Sequence, residues 1–119
     1  MTNPSVTVII PSVRNHEELD IVLKGLSNQT YSGPCKIVVV GPTNDPGKEV
    51  CKENNILFID DEGSRTRADA CNIAINATES EIILFTDDDV IVPKDWIEKL
   101  VSWFSREDVS GVGGPNFAP

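Results

Sequence analysis

The chain has 119 residues, of which 10 are basic and 19 acidic, and its net charge of −9 argues against nucleic-acid binding because phosphate backbones are repelled. No apolar run approaches the roughly 20 residues that a bilayer-spanning helix needs. Three cysteines, one histidine and no Cys-x-x-Cys pattern argue against a disulfide framework and a zinc site, which predicts a cytoplasmic setting. The length predicts one domain, residues 1–119.

Apolar runs and helical periodicities alternate along the chain. Solid apolar runs predict four buried strands, at residues 6–10, 37–40, 56–59 and 82–85. Helices are predicted between and after them, near residues 16–28, 48–54 and 64–77, with a fourth helix whose first residue is Pro93. This alternation is typical of the α/β class, with a mostly parallel sheet covered by helices.

Several details of these elements are also predicted. Asn15 and Glu18 have the spacing of a capping box for the first helix. The third helix is predicted to begin near Ser64 or Thr66. Its apolar stripe is predicted from three residues: Ala68, Cys71 and Ile75. Trp96 and Trp103 are predicted to lie in the core. A fifth strand is predicted at residues 109–112, before Gly113-Gly114-Pro115.

The sharpest chemical feature is the triplet Asp87-Asp88-Asp89, which directly follows the fourth strand. Ligands of open parallel sheets bind outside the carboxyl ends of the strands. Adjacent carboxylates repel one another unless they are solvated or neutralised by a cation. In an extended or turn conformation Asp87 and Asp89 are expected to point the same way, as two oxygen ligands suited to Mg²⁺ or Mn²⁺. The alternative interpretation is a solvated loop that caps the following helix.

Segments spread over the whole chain together resemble the family 2 glycosyltransferases, which have the GT-A fold. They are the first strand with its Pro11-Ser12 exit, the Gln29-Thr30-Tyr31 helix end, residues 67–72, the strand leading into the acidic triplet, and Gly113-Gly114-Pro115. The resemblance implies a Rossmann-like nucleotide-diphospho-sugar transferase fold. It also implies that this chain is the donor- and metal-binding half, truncated before the acceptor and catalytic-base region.

The resemblance implies roles for individual residues. Asp89 would be the main metal ligand, and Asp87 would contact the metal-bound phosphates or ribose and share the metal. Asp88 belongs to the substrate-binding set with them. Arg67 would pair with the diphosphate, and an exposed helix cation paired with a nearby acid is the equal alternative. The nucleobase pocket would be lined by the residues after the first strand: Pro11, Ser12 and Val13.

Two positions depart from the pattern of the family. An acid that hydrogen-bonds the base usually follows the second strand, whereas this chain has Gly41-Pro42-Thr43-Asn44 there. Asp45, further along the loop, is expected to substitute for it. An aromatic residue that stacks on the base is replaced by Val13, and Arg14 is expected to stack instead.

The reaction implied by the resemblance is an inverting transfer with Mn²⁺ or Mg²⁺ as cofactor. The donor would be a UDP-, GDP- or dTDP-sugar, and the acceptor a hydroxyl of a glycan, lipid or protein. No catalytic base is identified within the chain, and one is expected beyond Pro119, since Glu107 and Asp108 are predicted to be surface charges. Membrane association is expected only through a C-terminal region outside these residues.

Other functions remain open from sequence alone. A catalytically silent sugar-nucleotide-binding module would explain the missing base and the altered loop after the second strand. A phospho-receiver signalling domain has this size and class, but it needs an acidic pair after the first strand, where Ser12 and Val13 lie. A sugar nucleotidyltransferase needs a glycine-rich loop at the same place, which this sequence lacks.

Overall fold

Four strands form a single open sheet, and helices cover both of its faces. The computed structural model describes residues 3–106 and residue 111. The elements in chain order are β1 (Val6–Pro11), α1 (Glu17–Leu26), β2 (Cys35–Gly41), α2 (Gly47–Glu53), β3 (Leu57–Asp60), α3 (Arg67–Asn76), β4 (Ile82–Phe85) and α4 (Trp96–Trp103). Each predicted strand and helix through residue 103 is therefore present.

The four strands are parallel and lie in the order β3-β2-β1-β4. In the centre of the sheet, Val8 of β1 pairs with Ile37 of β2 on one side and Leu84 of β4 on the other. The predicted parallel α/β architecture is confirmed. Because the chain adds β2 and β3 on one side of β1 and β4 on the other, the carboxyl ends of β1 and β4 flank a topological switch point.

Side chains of β1 alternate between two cores, as expected for a strand buried on both faces. Val8 and Ile10 belong to a core that also contains buried residues of α1, α2 and α4, whereas Ile9 belongs to a smaller core under α3. Full burial of a valine, leucine or isoleucine side chain contributes about 1.5–3 kcal/mol. The sheet is therefore held from both sides, mostly by the three-helix face.

The buried face of α3 differs from the predicted stripe. Ala70 and Ala74 are the buried residues, while Cys71 and Ile75 are partly buried beside them and Ala68 is exposed. Alanines four positions apart lie on one side of a helix, and their small side chains let α3 lie close to the sheet. The prediction for Ala68 was therefore wrong. The predicted start of the helix is confirmed at Thr66, whose Oγ1 accepts a hydrogen bond from Asp69 N at 3.1 Å.

Helix α4 begins three residues later than predicted. The Pro93 carbonyl oxygen accepts a hydrogen bond from Trp96 N at 3.1 Å, so a turn precedes the helix and Pro93 is not its first residue. Trp96 packs against the larger core as predicted, but Trp103 is 51% exposed, so its assignment to the core was wrong. Two other apolar residues at helical spacing, Ile97 and Val101, which the sequence also predicts to lie on the apolar side of this helix, are the buried residues of α4.

The start of α1 uses Asn15 in a different way from a capping box. His16 occupies the N-cap position without a side-chain hydrogen bond, and Asn15 Oδ1 accepts from Leu19 N at 3.0 Å. Glu18 is exposed and takes no part in a reciprocal cap. Asn15 is drawn away from Glu18 because its side-chain amide also donates to the loop after β4, at the Asp88 carbonyl oxygen.

The three cysteines are free thiols, as the sequence predicts. Burial, and after it the nearby Asp45 carboxylate, raises the pKa of the Cys51 thiol to about 11. No helix in the described part of the chain has the length and apolarity needed to cross a membrane. The segment 113–115, Glu107 and Asp108 lie outside the described residues, as does the predicted strand at 109–112 apart from residue 111.

Candidate functional site

The loops that follow β1 and β4 are bonded to each other at the carboxyl edge of the sheet. Ser12 Oγ donates a hydrogen bond to Asp88 Oδ2 at 2.9 Å, and Asn15 Nδ2 donates to the Asp88 carbonyl oxygen at 3.1 Å. Ser12 is only 2% exposed, so this contact is shielded from water on one side. The acidic triplet is therefore attached to the loop after β1, although Ser12 and Asp88 are 76 positions apart in sequence.

A cavity of about 370 Å³ lies beside this contact. Its walls come from the carboxyl ends of β1, β2 and β3, from the loop after β4 and from the start of α3. Five residues predicted from the sequence to bind the donor line it: Pro11, Ser12, Val13, Arg67 and Asp88. The cavity therefore lies where ligands of open parallel sheets are expected.

A second, more open cavity of about 530 Å³ adjoins the first, and Val13 and Asp88 line both. Arg14 and Asp89 line only this second cavity. Because Asp88 and Asp89 form a turn beyond the last residue of β4, the alternation of a strand does not set their directions. The structure groups Asp88 with Asp89 here, whereas the sequence predicts Asp87 and Asp89 as the pair that points one way.

Asp87 instead forms an ion pair with Arg67, the first residue of α3. The Arg67 side chain is 62% exposed and that of Asp87 44% exposed. An ion pair this exposed to water contributes roughly 0–1 kcal/mol to stability. The Arg67 guanidinium can therefore exchange its carboxylate partner for a phosphate at little cost, and the same exchange would free the Asp87 oxygens.

The carboxylates after β4 suit a hard divalent cation. Asp89 is exposed, and the described residues give its carboxylate no hydrogen bond and no ion pair. Within residues 3–106 and 111, no three or more His, Cys, Asp or Glu side chains converge as a metal cluster. Mg²⁺ and Mn²⁺ are often bound by one or two protein carboxylates, with water and phosphate oxygens as the remaining ligands. The metal-binding roles of Asp87 and Asp89 stay a prediction.

Asp45 lies away from both cavities, in contrast to its expected place beside the base. It is 7% exposed, and its two carboxylate oxygens accept hydrogen bonds from Arg14 N at 2.7 Å and Gly47 N at 2.9 Å. It lines a groove beside α2 instead. Both carboxylate oxygens of Asp45 accept backbone hydrogen bonds, so the residue links the loop after β1 to the start of α2. Neither oxygen is left free to bind a ligand in the first cavity.

Val13 and Arg14, the residues expected beside the base, lie at the rim. Val13 is 61% exposed, and Arg14 is exposed with a backbone φ of 54°. A non-glycine residue in this left-handed region is uncommon, and the hydrogen bond from its N–H to Asp45 holds it there. Arg14 thereby faces the cavity with the two acids and does not line the one with Pro11 and Ser12.

Seven further residues line the first cavity and are absent from the predicted site residues, among them Asp61, Ser64 and Arg65. The sequence does contain a signal, since Asp61 follows the third strand as the acidic triplet follows the fourth. The residue is buried, with 6% of its surface exposed, whereas Asp60 beside it is exposed. Only the folded sheet distinguishes which of these two adjacent acids faces the cavity.

Asp60 has its own donors outside the cavity. Its carboxylate accepts hydrogen bonds from Thr43 Oγ1 and from Glu62 N, the latter at 2.8 Å. These two bonds, that of Thr43 first, hold the pKa of Asp60 below its ordinary value of 3.8. Asp60 is therefore an ionised surface carboxylate with a local structural role.

Known proteins provide an independent comparison. The family model described as "Glycosyl transferase family 2" matches residues 7–118. An N-acetylglucosaminyltransferase of Azorhizobium caulinodans is 32% identical over 93% of this chain and 30% of its own length. Glycosyltransferase AglE of Haloferax volcanii is 32% identical over 95% of this chain and 40% of its own length. The chain therefore spans 30% and 40% of the lengths of these two relatives.

Solved structures share the fold. A mannosyltransferase from Pyrobaculum calidifontis, in complex with GDP-Man and Mn²⁺, has a TM-score of 0.82 at 24% identity over 92% of this chain and 34% of that chain. Glucosyl-3-phosphoglycerate synthase from Mycobacterium tuberculosis, in complex with Mn²⁺, UDP and glucosyl-3-phosphoglycerate, has a TM-score of 0.73 at 15% identity. That match covers 85% of this chain and 39% of that chain. The GT-A fold expected from the sequence is confirmed.

Proposed function

The chain belongs to glycosyl transferase family 2, and from this premise we propose that it binds the nucleotide-diphosphate sugar donor of a glycosyltransferase together with a divalent cation. The observation that carries the proposal is the cavity at the carboxyl edge of the sheet, which is lined by the loop after β1, the start of α3 and Asp88 of the acidic triplet. Two of the structurally similar enzymes were solved with Mn²⁺ and a nucleotide or nucleotide sugar, which supports this donor class.

The charges of the site match the diphosphate of such a donor and the cation that accompanies it. Arg67 supplies an exposed guanidinium for the diphosphate, and Asp89 supplies an unpaired carboxylate for the cation. A bound Mn²⁺ or Mg²⁺ supplies positive charge that stabilises a departing diphosphate. The hydrogen bond from Ser12 to Asp88 attaches the loop with the acidic triplet to the loop after β1, which is expected to line the nucleobase pocket. Residues for the donor and residues for the metal are therefore held together.

The reaction we propose for the whole enzyme is an inverting transfer to a hydroxyl group. The acceptor oxygen attacks the anomeric carbon, the bond from that carbon to the diphosphate breaks, and a carboxylate base takes the hydroxyl proton. In this scheme Arg67 would bind oxygens of the leaving diphosphate, and Asp87, released from its ion pair with Arg67, would be free to hold the metal together with Asp89. The scheme assigns the general base to no residue of this chain.

Calorimetric titration with UDP-, GDP- and dTDP-sugars, with and without Mn²⁺, tests the proposal. We expect one donor to bind the wild-type chain, with affinity that rises when Mn²⁺ is present. Asp89→Ala should lower the Mn²⁺-dependent affinity by about tenfold or more, which corresponds to about 1.4 kcal/mol. Asp95→Ala is the matched control, since Asp95 is an acid at the start of α4 that forms an ion pair with Lys99 at 3.1 Å. The proposal fails if no donor binds, or if both variants keep the wild-type dependence on Mn²⁺.

A further inference from the structure

The end of β2 has no room for a side chain. A Cβ atom on Gly41 would lie 2.4 Å from the Ser12 carbonyl oxygen and 3.2 Å from Phe58 Cζ. Real Cβ atoms do not approach a backbone oxygen so closely, so any larger residue would move the loop after β1 away from β2. A carboxylate that accepts a hydrogen bond from a nucleobase therefore cannot be placed at this position. If the cavity has such a carboxylate, another residue must supply it.

Asp61 brings a carboxylate to the same cavity from the next strand. Its N–H donates to the Gly41 carbonyl oxygen at 2.8 Å, which fixes the residue beside the end of β2. Its Oδ1 accepts from Gly63 N at 3.0 Å, and for the other oxygen the described residues supply no hydrogen-bond donor. Only 6% of the residue is exposed. Because no buried side-chain oxygen of the described residues lacks a hydrogen-bond partner, this second oxygen is open to solvent, and a ligand in the cavity can donate a hydrogen bond to it.

A donor group lines the cavity near this acceptor. Arg65 is exposed, and among the residues that the structure describes its guanidinium has no hydrogen bond or ion pair. The cavity therefore offers a ligand an acceptor, the free oxygen of Asp61, together with the exposed donors of Arg65. Ser64 does not add to this pair, because its hydroxyl donates to the Asp61 carbonyl oxygen.

We infer that Asp61 selects the nucleobase of the donor by accepting a ring N–H, with Arg65 donating to the adjacent carbonyl oxygen. Uracil, thymine and guanine present a ring N–H next to a carbonyl group. Cytosine and adenine present an unprotonated ring nitrogen, whose lone pair the Asp61 oxygen repels. The inference rests on the proposed function and deepens it, since it assigns the specificity of that site to a residue on β3.

The test compares the affinities of UDP, GDP and CDP in the presence of Mn²⁺. The diphosphate and ribose of UDP and CDP are identical, so their affinity ratio reports the base alone. In the wild-type chain we expect the tighter of UDP and GDP to bind about tenfold or more tightly than CDP. Blocking the ring N–H with a methyl group, as in 3-methyl-UDP or 1-methyl-GDP, should remove this advantage. This arm uses the unaltered chain and does not depend on any variant.

Asp61→Asn tests the residue itself. The carboxamide keeps an oxygen for Gly63 N and turns its NH₂ group, a donor, toward the cavity. We expect the UDP-to-CDP affinity ratio to fall by about tenfold or more, because the new donor suits the unprotonated nitrogen of cytosine. Asp60→Asn is the matched control: it removes the same charge one residue away, outside the cavity, and should leave the ratio unchanged.

The outcomes separate the inference from the function on which it rests. If no nucleoside diphosphate binds the wild-type chain, the proposed function fails, and the inference fails with it. If nucleotides bind but methylation has no effect, or if Asp61→Asn keeps the wild-type base ratio, the inference alone is overturned. A uniform rise in all affinities in Asp61→Asn would reflect only the lost repulsion of the diphosphate, and it too would overturn the inference.

Discussion

At the scale of single residues, Asp45 links two segments of the chain through hydrogen bonds outside the two cavities. One buried carboxylate accepts the N–H of Arg14 in the loop after β1 and the N–H of Gly47 at the start of α2. The first of these bonds holds Arg14 in a left-handed conformation, which costs of order 1–3 kcal/mol for a residue with a side chain. Asp45 therefore shapes the rim of the candidate site without reaching it.

We expect Asp45→Asn to lower the free energy of unfolding by about 1–3 kcal/mol. An amide has one acceptor oxygen, so one of the two backbone N–H groups would lose its partner and face the side-chain NH₂ instead. Urea unfolding measures the change. Glu53→Gln is the control, because Glu53 is an exposed acid in the last turn of α2. Its substitution should change the free energy of unfolding by less than about 0.5 kcal/mol. Equal unfolding curves for the two variants would contradict this role of Asp45.

At the scale of elements, the segment after α1 anchors the start of α4. Gln29 Nε2 donates to the Pro93 carbonyl oxygen at 2.7 Å, and its Oε1 accepts from Ile97 N at 3.0 Å. Thr30 N also donates to the Lys94 carbonyl oxygen at 2.9 Å. The side chain of the N-cap residue Asp95 makes no capping hydrogen bond to the backbone of the helix. Helix α4 is therefore capped by a side chain from a distant part of the chain.

Gln29→Ala should destabilise the chain by about 1–2 kcal/mol and loosen α4 more than the sheet. Hydrogen exchange measures both, and we expect faster exchange for the amides of α4 with little change in β1. Asn28→Ala is the control, since the side-chain amide of Asn28 donates only to the Lys24 carbonyl oxygen of the preceding helix, α1. Gln29→Glu keeps the acceptor for Ile97 N and should fall between wild type and Gln29→Ala. Uniform acceleration across all elements would argue against a local cap.

At the scale of the whole molecule, the proposed donor site lies along the carboxyl edge of a single sheet. β4 lies at the edge of the four strands, where Phe85 is 50% exposed, and Ile91 in the following loop is 73% exposed. The chain spans 30% and 40% of the lengths of two curated relatives. In the proposed function, donor binding uses only the loops at the carboxyl edge of this sheet, whereas transfer would also need an acceptor and a base placed against the same donor.

We therefore expect these 119 residues to bind the donor and Mn²⁺ but to show no sugar transfer to an acceptor. Mass spectrometry of reactions with mixed glycan, lipid and peptide acceptors would detect a product, and thermal unfolding with and without the donor would confirm binding in the same sample. A rise in melting temperature without product is the expected result. Measurable transfer would show that the general base lies within the chain.

The sequence by itself determined the elements of this protein, because apolar runs and helical spacing are properties of short segments. The alternation of β1 between two cores and the position of the acidic triplet after β4 both follow from such local patterns. Details that depend on neighbours were harder to predict. Pro93 precedes α4 by a full turn because its carbonyl oxygen already bonds Gln29, a residue 64 positions away.

Only the tertiary structure decided which acids share a cavity. The sheet places Gly41 opposite Asp60 and bonds Asp61 to the Gly41 carbonyl oxygen, so Asp61 turns inward while Asp60 stays outside. In the same way, Asp45 became a link between two loops and Asp87 a partner of Arg67. The physical reason is that hydrogen bonds act over about 3 Å, and sequence spacing does not reveal which distant groups the strand register brings that close.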